Sequence, residues 1–596
     1  MNENNLSSYQ KLLIFYQNFK KTSSKKLYSY LEFLYYFRPR YLLCFIFGVL
    51  GGFGMTPFNI LPFFIISIVS IIRLTDFAKN TKEAIFVGIF YSYGMGLVLF
   101  YWIPFAMLTD KMYYLLFPIA FLLTPLLYAL FQSLIFFIYK EISYYTNAVE
   151  RVMCFSSLWC LFEYIRSFTP INFPWALAGY TMMFSNSIFQ FSSIIGVFGF
   201  SVFILFFSSG FHLIFLDGDG DRYYSYLRYI LTTLITLLAM FVYGYLIKLY
   251  KEEGLQDKTI VRLVQGGVKA KSYKTGDERK QSLKIYKDIT LSEKTDHITH
   301  IIWPESAVEF SIYQNDGVSN ILKNILNDGQ ILITGSMRIE EQDLKNNYFK
   351  NDENNINNFK IYNTMSMIDS TGRQTYYDKH FLVPFGEYIP FKRIIPFLKS
   401  ITGDGIDFSN GKETRVYKLI NTQSFIPLIC YEIAFSGKLP IYSSNIYKKE
   451  SGERIYRERA KWIINITNDA WFGYTSGPFQ HYQMSIARAI EYGIPVVRVA
   501  NTGISAIIDP YGKVTHKIGL NKVGFIDAPI PKALKDETIF AIFGNIPSLI
   551  FISVIFLSLF IHYLLNKYYK KIIPITTQIF NIVDKIQDNK RDKRGD

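Results

Sequence analysis

Long apolar segments separated by short polar ones dominate the first 250 residues of the chain, and one more lies near its C-terminus. The first of them, 41–74, is interrupted by Gly51-Gly52 and by Thr56-Pro57-Phe58. One helix of this length would overshoot a hydrocarbon core of ~30 Å, so the interruptions predict two short helices that cross and return. Further spans are predicted near 84–107, 112–140, 150–168, 186–216 and 226–249, and an eighth near 547–565. The pattern therefore predicts a membrane α-helical bundle of eight spans.

Between the seventh and the eighth span the apolar runs become short and rich in β-branched and aromatic residues, which is typical of strands. These runs are 259–264, 299–303, 331–335, 363–368, 425–429, 462–466, 496–499 and 504–508. Helical patterns lie at 278–291 and 478–492. Strands with interleaved helices predict an α/β domain in which helices cover the faces of a layered sheet. Two polar tracts, 340–360 and 443–459, are predicted surface insertions.

Basic residues at the two chain ends set the predicted orientation. The chain has 596 residues, a formal net charge of +15 and 50% hydrophobic residues, so it is too apolar for a soluble enzyme. Lysine and arginine concentrate before the first span and after the last, which predicts that both termini are cytoplasmic. Because these charges flank apolar spans, anionic lipid is the expected partner and nucleic acid is not. The predicted organisation is a cytoplasmic tail at 1–40, spans one to seven at 41–250, a periplasmic domain at 258–532, span eight at 545–566 and a cytoplasmic tail at 567–596.

A lone cysteine, Cys430, ends the apolar run 425–429 and is followed at once by Tyr431 and Glu432. The other three cysteines lie in the apolar segments, so no disulfide framework is expected. A free thiol at the end of a buried strand is either a small core residue or a nucleophile. A nucleophilic thiol needs a base or a cation beside it, which directs attention to other charged residues at strand ends.

Two such residues precede the cysteine along the chain, Glu305 after Trp303-Pro304 and Lys379 between Asp378 and His380. If the three strands end at the same edge of one sheet, these side chains meet Cys430 there. Glu305 would then take the thiol proton and return it to the leaving group. Lys379 would stabilise the thiolate and the oxyanion, with the Tyr431 backbone N–H as a second donor. Taken singly, each residue also has a structural explanation as a turn carboxylate, a solvated charge or core packing.

The motifs Pro304-Glu305, Asp378-Lys379-His380 and Cys430-Tyr431-Glu432 resemble the Glu-Lys-Cys triad of the nitrilase superfamily. Over about residues 40–565 the chain is similar to the family of bacterial apolipoprotein N-acyltransferases. The most specific matching segments are 303–306, 379–390, 429–432 and 468–473, together with His481, Gln483-Met484, Arg498, 501–503, Arg166, 173–175 and 179–180.

This resemblance implies a nitrilase-like αββα sandwich beside the eight-span bundle, in a multi-pass protein of the cell inner membrane. It implies transfer of an acyl chain from a phospholipid, usually phosphatidylethanolamine, through a Cys430 thioester to the N-terminal amine of diacylglyceryl-cysteine lipoproteins. It also implies that Glu387 supports the triad and that Tyr431 and Glu432 shape the pocket. The chain departs from the family at Lys274, where some members carry a tryptophan, and in its long 340–360 insertion.

The implied reaction requires apolar loops near the nucleophile that can contact the acyl chain. An ester in a bilayer must reach the thiolate, so the segments 381–385 and 470–472, the latter with Trp471 and Phe472, are expected to meet the acyl chain. A monomer without cofactor or metal is expected.

Three other interpretations are open from the residues. A membrane-tethered amidase that hydrolyses C–N bonds would share the triad, and a transporter or scaffold would carry a degenerate hydrolase domain. A metal site at His297 and His300 lacks an evident third ligand. The Asp217-Gly-Asp219-Gly-Asp221 run begins like a calcium loop, but its twelfth position is Arg228 where a glutamate is needed, so it is interpreted as a polar turn.

Overall fold

The structure is a computed structural model that describes residues 40–168, 172–215, 220–250, 254–271, 274–341, 359–388, 407–419, 422–448, 455–565 and 568. Nearly all of the two predicted basic tails and most of the 340–360 insertion lie outside these residues. The helices are α1 Arg40–Gly54, α2 Leu61–Asp76, α3 Thr81–Phe100, α4 Phe117–Ser143, α5 Ala148–Phe168, α6 Asn186–Phe189, α7 Ser192–Gly210, α8 Gly220–Leu249, α9 Gly276–Thr290, α10 Asp316–Lys323, α11 Ser476–Tyr492, α12 Ile539–Phe543 and α13 Ile546–Leu565.

Helices α1 to α8 and α13 form the membrane half of the molecule, residues 40–250 and 546–565. Five stretches among the described helices are long and apolar enough to cross a membrane, and α1 is apolar but shorter. They are Thr81–Phe100, Lys111–Ser143, Ser192–Ile214, Tyr226–Leu249 and Ile546–Leu565. The predicted break in 41–74 is present, because α1 and α2 are separate helices. The predicted total of eight crossings stays a prediction.

Small residues let the membrane helices approach one another closely. A Cβ atom on Gly48 of α1 would lie 1.9 Å from the carbonyl oxygen of Tyr91 on α3, so only glycine fits there. Gly94 on α3 meets the carbonyl oxygen of Phe45 in the same way, at 2.2 Å. Close helix contact through glycine is a common packing mode in membranes, where burial of apolar surface adds little between helices.

The chain between the membrane helices folds into two facing sheets. The strands are β1 Leu255–Gln265, β2 His300–Ile302, β3 Ile331–Glu341, β4 Phe359–Asp369, β5 Gln374–Asp378, β6 Phe425–Ile429, β7 Tyr442–Lys448, β8 Ile455–Arg459, β9 Trp462–Thr467, β10 Val496–Ala500, β11 Ser505–Ile508, β12 Val514–Ile518 and β13 Gly524–Pro531. One sheet has the order β13-β1-β2-β3-β4-β5 and the other β12-β11-β10-β9-β6, while β7 and β8 form a separate hairpin. Strands β1 to β3 are parallel neighbours, as are β6, β9 and β10.

Apolar side chains fill the space between the two sheets, with Ile302 and Met365 on one side facing Ile429 and Ile464 on the other. The outer face of the six-stranded sheet packs on α9 and α10, through residues such as Leu283 and Leu322. A third apolar cluster is continuous from the five-stranded sheet and α11 into the membrane half. These layers form an αββα sandwich that is packed directly on the helical bundle.

One prediction about the sheets is wrong. The strands that lead to Glu305, Lys379 and Cys430 were expected to end at one edge of a single sheet. Strands β2 and β5 belong to the six-stranded sheet, whereas β6 belongs to the five-stranded sheet. An apolar run reveals a buried strand but not its pairing partners, which depend on distant parts of the chain.

Candidate active site

Glu305 lies in the loop that follows β2. The loop is held against β3 because the N–H of Gly335 donates to the Pro304 carbonyl at 3.1 Å. A Cβ atom on Gly335 would lie only 2.5 Å from the Glu305 Cα atom, so this approach requires glycine. The carboxylate is 7% exposed. Its Oε1 accepts from Asn363 Nδ2 at 2.8 Å and its Oε2 accepts from the backbone N–H of Asn468 at 2.9 Å.

Lys379 follows β5, and its backbone N–H donates to the Asn363 carbonyl at 2.8 Å. The ammonium group is buried between two carboxylates. Its Nζ donates to Glu387 Oε1 at 2.9 Å and lies 3.6 Å from Glu305 Oε1. Burial on its own lowers the pKa of Lys379, but the charges of Glu387 and Glu305 outweigh it and hold this pKa above its usual value. Both carboxylates therefore favour the cationic form of the lysine.

Cys430 lies where β6 passes into a 3₁₀ helix, Cys430–Ala434. Its φ of +51° is in the left-handed region, which a residue with a side chain rarely adopts. Burial raises the pKa of the Cys430 thiol, the negative charge of Glu305 raises it further, and Lys379 opposes them. The charges of Glu305 and Lys379 thus act on the pKa of this thiol in opposite directions.

Glu387 is the third charged residue of the cluster. Its Oε1 accepts from both Lys379 Nζ and Asn363 Nδ2, and its Oε2 accepts from the backbone N–H of Val383 at 2.8 Å. The residue therefore joins the lysine to the following loop. Asn363 was not predicted. Its amide nitrogen donates to both Glu305 and Glu387, so its two hydrogens tie the carboxylates together.

Glu432 is buried and joins three segments around the nucleophile. Its Oε1 accepts from the Tyr377 hydroxyl at 2.7 Å and from the backbone N–H groups of His380 and Phe381. Its Oε2 accepts from the backbone N–H of Ile429 at 2.8 Å. Burial raises the pKa of Glu432. The residue thus holds the loop after Lys379 against the strand that ends at Cys430.

Tyr431 faces the membrane half. Its hydroxyl donates to the Asn172 carbonyl at 2.5 Å, and its ring stacks on Trp175 with centroids 6.0 Å apart and planes 11° apart. The Trp175 carbonyl in turn accepts from Arg166 Nη1 at 2.7 Å. The wall beside the nucleophile is therefore built jointly by the sandwich and by the loop after α5.

Trp471 and Phe472 lie half-buried in a 3₁₀ helix, Asp469–Phe472. The Phe472 ring meets Trp102 of the membrane half edge-on, with centroids 4.7 Å apart. Phe385, in the other predicted apolar loop, is 69% exposed. Phe472 is thus covered by the bundle, whereas Phe385 is mostly exposed.

A second buried polar cluster lies behind the nucleophile. Asp469 pairs with Arg498 Nη2 at 2.7 Å and contacts His481 Nδ1 at 2.9 Å. Burial would raise the pKa of Asp469, but Arg498 and then His481 outweigh it and lower this pKa to about 2. His481 Nε2 lies 3.0 Å from the Cys430 carbonyl oxygen, which only accepts, so this nitrogen carries a hydrogen. His481 is therefore a hydrogen-bonding residue of α11.

Metal binding has little support in this geometry. Within the described part of the chain, no three His, Cys, Asp or Glu side chains are grouped so that they could hold a metal ion. His300 is buried, with its ring edge-on to Trp462 and its Nδ1 contacting Thr299 Oγ1 at 2.8 Å. His297 instead lies 3.4 Å from Asp527. The two histidines therefore do not form a pair of ligands.

A buried carboxylate, an ammonium group and a thiol on an αββα sandwich are the features of a carbon–nitrogen hydrolase, and a family model with the description "Carbon-nitrogen hydrolase" matches residues 301–539. A CN-hydrolase superfamily protein from Xanthomonas campestris shares 14% identity, with a TM-score of 0.31, 47% of this chain covered and 91% of that one. The model for the apolipoprotein N-acyltransferase N-terminal domain matches residues 47–210.

Proteins named apolipoprotein N-acyltransferase resemble the chain over nearly its whole length. The one from Rickettsia bellii is 33% identical over 540 residues, covering 89% of this chain and 98% of its own. The one from Rickettsia typhi is 32% identical and covers 88% and 98%. The one from Bradyrhizobium diazoefficiens is 28% identical and covers 85% and 92%. The chain belongs to the apolipoprotein N-acyltransferase family.

Proposed function

We propose that this chain is an apolipoprotein N-acyltransferase that moves an acyl chain from a phospholipid to the N-terminal amine of a diacylated lipoprotein. The observation that carries the proposal is the burial of Lys379 between Glu305 and Glu387, with the charges of Lys379 and Glu305 acting on the Cys430 thiol. Phosphatidylethanolamine is the proposed donor, and the proposed active form is a monomer without cofactor.

The first half-reaction forms a thioester. Glu305 takes the proton from Cys430 as the sulfur attacks the carbonyl carbon of the donor ester. The negative charge that develops on the ester oxygen is stabilised by the Lys379 ammonium group and by the Tyr431 backbone N–H. As the tetrahedral intermediate collapses, the ester C–O bond breaks and Glu305 gives its proton to the departing oxygen. A lysophospholipid leaves and the acyl chain remains on the sulfur.

In the second half-reaction the amine of the lipoprotein attacks the thioester carbonyl. Glu305 takes a proton from the attacking nitrogen, the C–S bond breaks, and the thiol is restored as the proton returns to sulfur. Water must be kept from the thioester between the two steps, since hydrolysis would make the enzyme a phospholipase. The contacting rings of Trp102, Trp175 and Phe472 support this exclusion, because Trp175 stacks on Tyr431, the residue that follows the nucleophile.

The membrane arrangement belongs to the same proposal. Eight crossings of the cell inner membrane, both termini in the cytoplasm and the sandwich on the periplasmic side would hold the thiol at the outer surface of the bilayer. The basic tails support this orientation. A reporter fused near Lys513 tests it: alkaline phosphatase activity is expected, and a reporter that behaves as cytoplasmic would overturn the orientation.

The reaction is tested with purified enzyme and phospholipid carrying an isotope label in its acyl chains. We expect mass spectrometry to find the label on the peptide that contains Cys430, and addition of a diacylated lipopeptide to remove it. Cys430→Ala and Cys430→Ser should carry no thioester, whereas Cys154→Ala, a change in the bundle, should still carry it. Transfer by Cys430→Ala would refute the mechanism, and hydrolysis of small amides without lipid would favour an amidase instead.

A further inference from the structure

One side chain of the sandwich, Gln480, is inserted into the membrane half. Gln480, near the start of α11, is 2% exposed. Its Oε1 accepts from the indole N–H groups of Trp102 at 3.0 Å and Trp175 at 2.7 Å. Its Nε2 donates to the carbonyl oxygens of Thr56 at 3.1 Å and Leu99 at 3.3 Å.

The amide of Gln480 is fully used by these contacts. A primary amide has two donor hydrogens and an oxygen with two lone pairs, and each meets a partner in the membrane half. The orientation of the amide is also determined, because a flipped amide would face two indole N–H groups with its own N–H groups. Four groups from three segments of the bundle, around Thr56, Leu99–Trp102 and Trp175, therefore fix one point on α11.

The next residue on α11, His481, links the position of Gln480 to the nucleophile. His481 lies with Nε2 3.0 Å from the Cys430 carbonyl oxygen, which also accepts from Asn465 Nδ2 at 3.2 Å. The Trp175 ring, whose N–H is bonded to Gln480, lies 5.4 Å from the His481 ring and stacks on Tyr431. Through Trp175, the membrane half thus contacts Tyr431, which follows Cys430 in the chain, and His481, which is bonded to the Cys430 carbonyl group.

Cys430 needs such support because of its backbone. A residue with a side chain in the left-handed region is strained and persists only where its surroundings hold it. Its carbonyl group is one of the points at which that backbone is held. A shift of the first turn of α11 would move His481 away from the carbonyl and allow the turn at Cys430 to relax.

We propose that Gln480 is a positioning residue: it anchors the start of α11 on the membrane half and so keeps the Cys430 turn aligned with Glu305 and Lys379. For catalysis this inference rests on the proposed acyl transfer. It predicts that the bundle does more than tether the sandwich to the bilayer, since four of its hydrogen-bonding groups determine where the nucleophile lies.

The test replaces Gln480 with methionine, which has a similar length and no amide, and with glutamate, which keeps the acceptor but sets a second oxygen against two carbonyl groups. The matched control is Gln190→Met. Gln190 is equally buried and also joins the two halves, through the Tyr511 carbonyl at 2.8 Å, but does not contact the nucleophile turn.

Two rates are measured in the full-length enzyme at matched thermal stability. The first is acyl-enzyme formation in a single turnover, which we expect to fall about 100-fold in both Gln480 variants, as for a reacting group misplaced by about 1 Å. The second is the rate at which iodoacetamide alkylates Cys430, measured on the peptide that contains it. We expect the pH profile of this rate to change in both variants. Gln190→Met should leave both measurements unchanged.

The two readouts separate this inference from the proposed function. If the unsubstituted enzyme forms no acyl-enzyme, the proposed function fails, while alkylation still reports on the position of Cys430. If either Gln480 variant folds and matches Gln190→Met in both rates, the positioning role is refuted. Trp175→Phe, which removes one of the four bonds, gives a milder variant. We expect it to slow acylation in the normal background and to have no further effect in Gln480→Met.

Discussion

Lys379 lies closer to Glu387 than to Glu305, with its Nζ atom 2.9 Å from the Glu387 carboxylate and 3.6 Å from that of Glu305. The residue assigned as the base is therefore not the main partner of the lysine. This arrangement leaves Glu305 available for proton transfer while Glu387 compensates the buried positive charge. We therefore expect substitution of Glu387 to disturb the position of the lysine without removing the base.

Glu387→Gln should slow acyl-enzyme formation by about 100-fold through misplacement of Lys379. The glutamine amide would set an N–H group against the Val383 N–H or against Lys379 and Asn363, so one donor loses its acceptor. Loss of the nearest negative charge also removes the first influence that raises the pKa of Lys379 against burial. We expect a cost of about 1–3 kcal/mol in the free energy of unfolding. Glu413→Gln, at an exposed position, is the control and should behave like the unsubstituted enzyme.

The thiol offers a sharper test, because substitutions of Glu305 and Lys379 should affect its ionisation in opposite directions. Burial and the charge of Glu305 raise the pKa of Cys430, whereas Lys379 lowers it. Glu305→Gln should therefore move the pH profile of Cys430 alkylation to lower pH, and Lys379→Met should move it to higher pH. Acyl transfer should fall about 10²–10⁴-fold in both. Shifts in the same direction would show that the two charges do not act on this thiol as described.

Much of the sandwich follows from the sequence because buried strands are apolar over several consecutive residues. The run predicted at 425–429 coincides with β6, and the predicted helix 478–492 with most of α11. Strand β12 was missed because its central residues are exposed at the edge of a sheet and carry no apolar pattern. The polar tract 443–459, predicted as a surface insertion, contains most of strand β7 and all of strand β8, which its polar sequence did not indicate.

The site was predictable only in part. Glu305, Lys379 and Cys430 could be proposed from the sequence because they stand next to recognisable strand ends. Asn363 stands at the start of the predicted run 363–368, within β4, and a polar residue at that position gives no signal of a functional role. Its role depends on two carboxylates that are distant in sequence. Gln480 was missed because all four of its partners lie more than 300 residues earlier in the chain.

The pair behind the nucleophile predicts a pH-dependent stability. The pKa of Asp469 is about 2, below its ordinary value of 3.8, because Arg498 and His481 stabilise the carboxylate despite its burial. A group with a lowered pKa adds stability above its unfolded pKa and loses it as the pH falls through the folded pKa. Ionised Asp469 should thus contribute about 2 kcal/mol near neutral pH.

Thermal unfolding in detergent tests this contribution. Asp469→Asn should unfold at a lower temperature than the unsubstituted enzyme at every pH above ~5, and the difference should shrink between pH ~4 and ~2 as the native carboxylate is protonated. Asp288→Asn, at an exposed position on α9, should show no such difference. A difference that stays constant down to pH ~2 would mean that the charge of Asp469 is not its source.

The loop that follows Lys379 carries Phe385, which we expect to affect how the phospholipid donor reaches the site. Phe385 is 69% exposed and has a φ of +62°, and its backbone N–H donates to the Tyr388 carbonyl at 2.7 Å. A phenylalanine that is mostly exposed and held in a strained conformation buries little of its apolar surface within the chain. If it enters the lipid surface beside the catalytic site, the loop gains the apolar contact that it lacks within the protein.

Phe385→Ser should therefore raise the KM for phospholipid in vesicles by about tenfold, since burial of a phenylalanine side chain contributes about 1.5–3 kcal/mol when complete and less in an interface. The rate at saturating donor should change little, because Phe385 contacts neither Glu305 nor Cys430 in the described structure. Phe359→Ser provides the control, as Phe359 is 51% exposed and belongs to strand β4 rather than to this loop. An equal rise in KM in both variants would assign the effect to general loss of apolar surface, and no rise in Phe385→Ser would exclude this loop from the path of the donor.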